Sequence, residues 1–248
     1  MSISMIALLL VAGFLSGAIN AVAGGGTFLT FGALTLAGLP PISANATSSI
    51  VQFPGYITST LAYWQEIRRS WKSAVALVVV SIMGGAMGAL TLLALDNPSF
   101  RALVPWLLAG ATTLFALGPL LKPKVGSEQP VITPKGIAGQ FFTALYGGFF
   151  GAGMGIMMLA VLGLAAGGSY HHLNALKNLL AIVIAAIAII IFVGGGIIAW
   201  TQAAIMLPAV ALGGYAGVWM ARRVPQTAMR LVVIAVGAAL TAYYFLTG

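Results

Sequence analysis

Long apolar runs broken by short polar or glycine-rich segments repeat along the whole chain. Runs of about 20 apolar residues match the roughly 30 Å hydrocarbon core of a bilayer at 1.5 Å of rise per helical residue. In order, the pattern predicts a helix from Met5 to Ala23, an interruption at Gly24 to Gly26, and a short segment Thr27 to Ala37 closed by Gly38-Leu39-Pro40-Pro41. Spans follow at about Ser43 to Gln65, Trp71 to Leu95 and Ser99 to Leu121. The second half predicts Lys135 to Gly151, another glycine break, Ile156 to Ala166, and spans at about His172 to Val193, Ile198 to Ala221 and Pro225 to Thr247. The 11 residues from Thr27 to Ala37 cover about half of the hydrocarbon core, so this segment either extends the preceding helix or folds back as a re-entrant hairpin.

A shift of 129 positions lays the chain on itself without a gap. Ala23-Gly24-Gly25-Gly26 then meets Ala152-Gly153-Met154-Gly155, and Asn45-Ala46 meets Asn174-Ala175. Trp71 meets Trp200, Gly84-Gly85-Ala86-Met87-Gly88 meets Gly213-Gly214-Tyr215-Ala216-Gly217, and Arg101 meets Arg230. With 32 glycines present, one glycine match carries little weight. A single offset joining Asn, Trp, Arg and two glycine clusters marks a duplication, as in many transporters. The join falls at Lys122 to Thr133, where Lys, Pro, Ser, Glu and Gln replace the apolar run. The expected organisation is a first transmembrane repeat 1–121, a cytoplasmic linker 122–133 and a second transmembrane repeat 134–248.

Composition removes the soluble alternative. The chain has 248 residues, 60% hydrophobic and 6% charged, against about 25% charged in soluble domains. Mean hydropathy is +1.07. The formal charge of +8 comes from 11 basic and 3 acidic residues. The bases sit in short clusters between apolar runs, as in cytoplasmic loops lying on anionic headgroups, which argues for a lipid-bilayer partner and against nucleic acid. The absence of Cys excludes disulfides, thiolate metal sites and thiol redox chemistry. Ala21-Val22-Ala23 has the form of a leader-cleavage site, but Met1 to Ile6 lacks the basic start of a secretory signal, so a retained helix is expected.

Loop charge chooses between the two readings of the short segments. Arg68-Arg69-Lys72, Lys122-Lys124-Lys135 and Arg222-Arg223-Arg230 are basic, while Gly194 to Ala199 is uncharged and Asp96 to Arg101 balances. If the broken segment crossed, Arg222-Arg223 would face the side opposite to Lys122-Lys124. If it folds back, all three basic loops share the cytoplasmic side. The expected fold is an all-α integral membrane protein of two inverted repeats, each a re-entrant helical hairpin plus three transmembrane helices.

Gly84-Gly85-x-x-Gly88 and its copy read best as close-packing faces between helices. Gly24 to Gly26 and Gly153 to Gly155 differ, because each cluster weakens the helix ahead of a segment too short to span. Backbone released inside a bilayer survives only in protein or beside a water-filled cavity, and paired breaks of this kind point to a midplane binding site. A helix starting at Thr27 or Ile156 offers unpaired N–H groups and a positive dipole end, both of which favour an anion. Polar runs follow each break: Ser43, Asn45, Thr47, Ser48, Ser49 and Gln52, then His171, His172, Asn174, Lys177 and Asn178. Asn45, Ser48 and Ser49 share one helix face, and Asn174, Lys177 and Asn178 repeat the spacing.

Lys177 lies in an apolar span, where an ammonium at the bilayer centre costs about 2.5 to 3.5 kcal/mol. It either snorkels toward the cytoplasmic surface or faces a cavity. Glu66, Asp96 and Glu128 all sit at span ends or in loops, which argues against a carboxylate cation site or proton relay. Adjacent His171 and His172 point about 100° apart and make a poor metal pair. No metal or other cofactor is expected. Trp64, Trp71, Trp106, Trp200 and Trp219 read as interfacial anchors.

The residues Gly17-x-x-Asn20-x-x-Ala23-Gly24-Gly25-Gly26, then Pro40 and Ser43-Ala44-Asn45-Ala46-Thr47-Ser48, resemble the TauE/SafE family of sulfite and organosulfur anion exporters. The resemblance extends to the length, the duplication and the second-half Gly153-x-Gly155 with Asn174-x-x-Lys177-Asn178. It implies a multi-pass inner-membrane permease, and His171-His172 is a departure beside the second site. The expected substrate is a small anion, sulfite or a related organosulfur oxyanion. The expected contacts are Asn20, Gly24, Gly25, Gly26, Thr27, Asn45, Thr47, Ser48, Gln52, Gly153, Gly155, Asn174, Lys177 and Asn178. Alternatives are an anion channel with a continuous pore and a carrier of a small carboxylate. An enzyme is disfavoured, because acid pairs, Cys nucleophiles and His-Glu clusters are absent. Whether the chain forms a homo-oligomer is left open by the sequence.

Overall fold

The computed structural model describes residues 1–23, 25–62, 68, 71–117, 133–165, 170–220 and 226–247. Among these residues all regular structure is helical, in ten helices. They are α1 (Ile3–Ala23), α2 (Gly26–Leu36), α3 (Pro41–Ala62), α4 (Trp71–Ala94) and α5 (Asn97–Leu117), then α6 (Pro134–Phe149), α7 (Met154–Ala165), α8 (Tyr170–Gly194), α9 (Trp200–Met220) and α10 (Gln226–Thr247). Most of the 122–133 linker, Arg69, Arg222, Arg223, Glu66, Glu128, Trp64 and the side chains of Trp71 and Trp219 lie outside the described residues.

Five helices contain stretches long and apolar enough to cross a membrane: Ile3–Asn20, Ala74–Ala94, Asn97–Leu117, Ala175–Gly194 and Arg230–Thr247. α3 and α9, read as spans from the sequence, have 22 and 21 residues but fall outside this group. In α3 the cause is the polar run from Ser43 to Gln52, which has work other than facing lipid. Trp106 and Trp200 are both exposed, but only Trp200 stands at a helix end; Trp106 lies midway along α5, where it meets Phe245 edge-on at 5.2 Å.

The helices pack in reciprocal pairs. α1 lies chiefly on α9, and α6 on α4; α5 pairs with α10 and α3 with α8. Small residues let the first two pairs approach closely. A Cβ placed on Gly213 would sit 2.0 Å from the Phe14 carbonyl oxygen, and one on Gly217 would sit 2.7 Å from Ala18. The rising order shows that α1 and α9 run in the same direction. α4 and α6 do likewise, because Gly84 opposes Phe141 and Leu145 while Gly88 opposes Leu145 and Phe149. These are the two glycine clusters matched by the sequence repeat, and both serve packing as expected.

α5 and α10 run in opposite directions and are fastened at both ends by arginine. Arg101, in the first turns of α5, donates from Nη2 to the Thr247 carbonyl at the end of α10 at 2.8 Å. Arg230, near the start of α10, donates from Nε to the Phe115 carbonyl at 3.1 Å and from Nη2 to that of Ala116. Each guanidinium meets terminal carbonyls that lack helical partners, at the negative end of a helix dipole. Before α5, Asp96 accepts from the Ser99 amide at 3.2 Å, and the Ser99 side chain and amide together hold its carboxyl below the usual range.

An aromatic cluster ties the short α2 to the rest. Phe31 of α2 meets Phe150 edge-on at 5.5 Å and stacks on Tyr244 at 6.0 Å, while Phe100 of α5 meets Phe149 at 5.6 Å. The residues of α2 from Gly26 to Leu34 are all buried, so this helix is surrounded by protein rather than lipid. Adjacent glycines on α9 give a sharp check of the packing. Gly213→Ala should lower stability by about 1 to 3 kcal/mol through overpacking on α1, whereas Gly214→Ala, with nothing within 4 Å of the added Cβ, should be neutral or slightly stabilising. Thermal unfolding in detergent measures both, and equal midpoints would remove the α1–α9 contact.

Candidate functional site

The two glycine breaks are built differently. In the first, Gly25 caps α2 at φ −115°, a value open to any residue. What requires glycine there is space. A Cβ on Gly25 would lie 2.7 Å from Val233 Cγ1, and one on Gly26 would lie 2.4 Å from the Ser16 carbonyl oxygen. In the second break, Gly151 and Gly153 both hold φ of +76°, where L side chains are strained. Gly24 lies outside the described residues.

Polar side chains lock each break. Ser16 Oγ donates to the Gly26 carbonyl at 2.7 Å, and Gln52 Nε2 donates to Ser16 Oγ. Gln52 Nε2 also reaches Thr30 Oγ1 at 3.4 Å, and Thr30 bonds Ser48 Oγ at 2.5 Å and donates to the Thr27 carbonyl at 3.2 Å. In the second break, Tyr146 Oη donates to the Ala152 carbonyl at 2.7 Å, and Asn45 Nδ2 donates to the Phe149 carbonyl at 2.9 Å. The amides of Phe28, Met154 and Ile156 bond back to Gly25, Gly151 and Gly153. This narrows the set of helix-end donors expected from the sequence.

Two cavities adjoin these turns. The first is lined among others by Thr27, Ser49, Gln52 and Tyr56. The second is lined by Asn20, Gly155, Lys177, Asn178 and Ala181. Tyr56, Gly151 and Met154 belong to both walls, so the cavities are neighbours across a shared partition. Lys177 is half-buried, and its stem passes Gly155, whose added Cβ would lie 3.7 Å from Lys177 Cδ. Of the chain's three acids only Asp96 is among the described residues, and it sits in the turn before α5 rather than in either cavity wall.

The structure thus brings Asn20, Thr27, Gln52, Gly155, Lys177 and Asn178 to cavity walls. It uses other expected contacts elsewhere. Asn45 and Ser48 hold the turns, Thr47 accepts from the Ala199 amide at 2.9 Å, and Gly25 and Gly26 are packed against neighbours. Gly153 approaches Ala111. The side chains of Asn174 and His171 lie outside the described residues, and His172 is half-buried. Sequence reasoning missed Tyr56, which stands in both cavity walls. The signal was there: Ser49, Gln52 and Tyr56 continue one helix face at three- and four-residue steps. Among the described residues there is no group of His, Asp and Glu fit to hold a metal.

The sulfite exporter TauE/SafE family model matches residues 9–244 of the chain. A "Probable membrane transporter protein" of Haemophilus influenzae is 27% identical over 247 residues, covering 97% of this chain and 94% of that one. The "Probable membrane transporter protein YfcA" of Escherichia coli K12 is 26% identical over 232 residues, 92% of this chain and 85% of that one. A "Probable membrane transporter protein ORF9" of a Sinorhizobium species is 30% identical over 169 residues, 66% and 63% of the two chains.

The contrast among glycines predicts different outcomes at one turn. Gly151→Ala and Gly153→Ala should each destabilise by about 1 to 2 kcal/mol through the left-handed backbone, while Gly155→Ala, in ordinary contact with Lys177, should leave the unfolding midpoint almost unchanged. Equal losses at all three would show that the turn needs space rather than conformation.

Proposed function

We propose that this chain, which belongs to the sulfite exporter TauE/SafE family, moves sulfite or a related organosulfur oxyanion outward across the bacterial plasma membrane through the cavity at Lys177. That it is a membrane transporter follows from the family and from its five apolar helices. The observation that carries the choice of substrate is a lysine on a cavity wall with the Asn20 and Asn178 amides and, among the described residues, no carboxylate. An ammonium at the bilayer centre costs about 2.5 to 3.5 kcal/mol, and an anionic ligand beside it offsets such a cost. A carrier of Ca²⁺ would be expected to place carboxylates beside the ion, and an ammonium in the wall repels a cation. Outward movement of one negative charge from a negative interior gains about 2.3 kcal/mol per 100 mV, so export needs no coupling ion. This chemistry is binding and release without bond-making, and the role is that of a permease rather than an enzyme.

The arrangement in the membrane is read as two inverted repeats, 1–121 and 134–248, joined by the 122–133 linker, with α1–α2 and α6–α7 as re-entrant hairpins. Three observations support it. α5 and α10, which occupy matching places in the sequence repeat, run antiparallel. The starts of α3, α5 and α9 meet through Ile42 N to Asn97 Oδ1 at 3.2 Å, Ser43 Oγ to the Ile197 carbonyl at 2.8 Å and Ala199 N to Thr47 Oγ1. α1 runs with α9 and therefore starts at that same end, to which α2 must return for α3 to begin there. The basic segments then fall at the opposite, cytoplasmic end.

Two measurements test this reading. Lys177→Met should reduce counterflow of labelled sulfite in proteoliposomes by at least about tenfold while the chain remains folded; unchanged apparent affinity would assign Lys177 to the lipid surface. Because the chain has no native Cys, single cysteines at Pro123 and Pro225 should react only from the cytoplasm and one at Pro98 only from outside. Labelling of Pro123 and Pro225 from opposite faces would overturn the hairpins.

A further inference from the structure

The unused group nearest the site is the carbonyl oxygen of Gln52. Gln52 is 1% exposed, lines the first cavity, and leaves Oε1 without a donor among the described residues. The orientation of the amide is fixed by its neighbours. Ser16 gives its proton to the Gly26 carbonyl and so can only accept from Gln52, which turns Nε2 toward Ser16 and Oε1 away. The nearest hydroxyl on the same helix face is already engaged: Ser49 Oγ donates to the Asn45 carbonyl at 3.1 Å. A buried acceptor without a donor is costly, and a ligand that supplies the donor recovers that loss.

The second cavity, across the Tyr56 and Met154 partition, has the opposite chemistry, with donors from Lys177, Asn178 and Asn20. One ligand that suits both needs an acid group at one end and a hydrogen-bond donor at the other. We infer that the protein selects anions bearing a remote hydroxyl, with the acid group at Lys177 and the hydroxyl donating to Gln52 Oε1 past the Tyr56 partition. This rests on the proposal that Lys177 binds an anion, and it adds a requirement that sulfite alone does not meet.

A matched pair of probes separates the two ideas. Isethionate and ethanesulfonate carry the same permanent sulfonate and differ by one terminal hydroxyl. Titration calorimetry on the purified full-length chain should find isethionate bound about tenfold or more tightly than ethanesulfonate, the size expected of one recovered hydrogen bond. In Gln52→Met the ratio should fall to about one. Equal binding of the two probes by the unaltered chain, or a ratio that survives in a folded Gln52→Met, would overturn the inference while leaving anion binding in place. Binding of sulfite with neither sulfonate would do the same. Failure of sulfite and both sulfonates to bind would overturn the anion reading itself. The comparison on the unaltered chain stands whether or not the variant folds.

Discussion

Buried backbone N–H and C=O groups must find partners, and the arrangement of this protein depends on meeting that constraint at two breaks. Two helices end in mid-chain and two short ones begin. Each break releases peptide groups that a continuous helix would have paired. The chain answers with side chains aimed at the freed carbonyls: Ser16 at Gly26, Asn45 at Phe149 and Tyr146 at Ala152. It then encloses α2 in aromatic packing, so that the irregular backbone touches protein.

This need divides the polar residues of α3 into two groups. One group, including Asn45 and Ser48, is consumed in holding the turns. The other, Ser49, Gln52 and Tyr56, faces the first cavity. Gln52 belongs to both, because its nitrogen braces the first turn while its oxygen remains unengaged. The bracing of a turn and the lining of a cavity are therefore linked through one side chain.

The helices were largely legible from run length. Trp71 to Leu95 is expected and Trp71–Ala94 observed; a break does precede each short helix, but α2 already begins at Gly26 and α7 at Met154, so Gly26 and Gly155 stand inside helices. The spans are legible because apolar length is a property of the segment itself. The roles of polar residues depend on what stands opposite, which spacing does not carry. Asn45 and Ser49 share a face, yet one reaches the second turn and the other lines a cavity. The glycine clusters match in sequence but answer different demands, close approach at Gly26 and left-handed backbone at Gly153.

The crossed arginines of α5 and α10 limit how the molecule can change shape. Sliding one of these helices past the other by a single turn would displace it about 5.4 Å and break the Arg101 and Arg230 contacts together, at opposite ends of the pair. Tilting the pair as one body breaks neither. While both contacts hold, α5 and α10 move as one body.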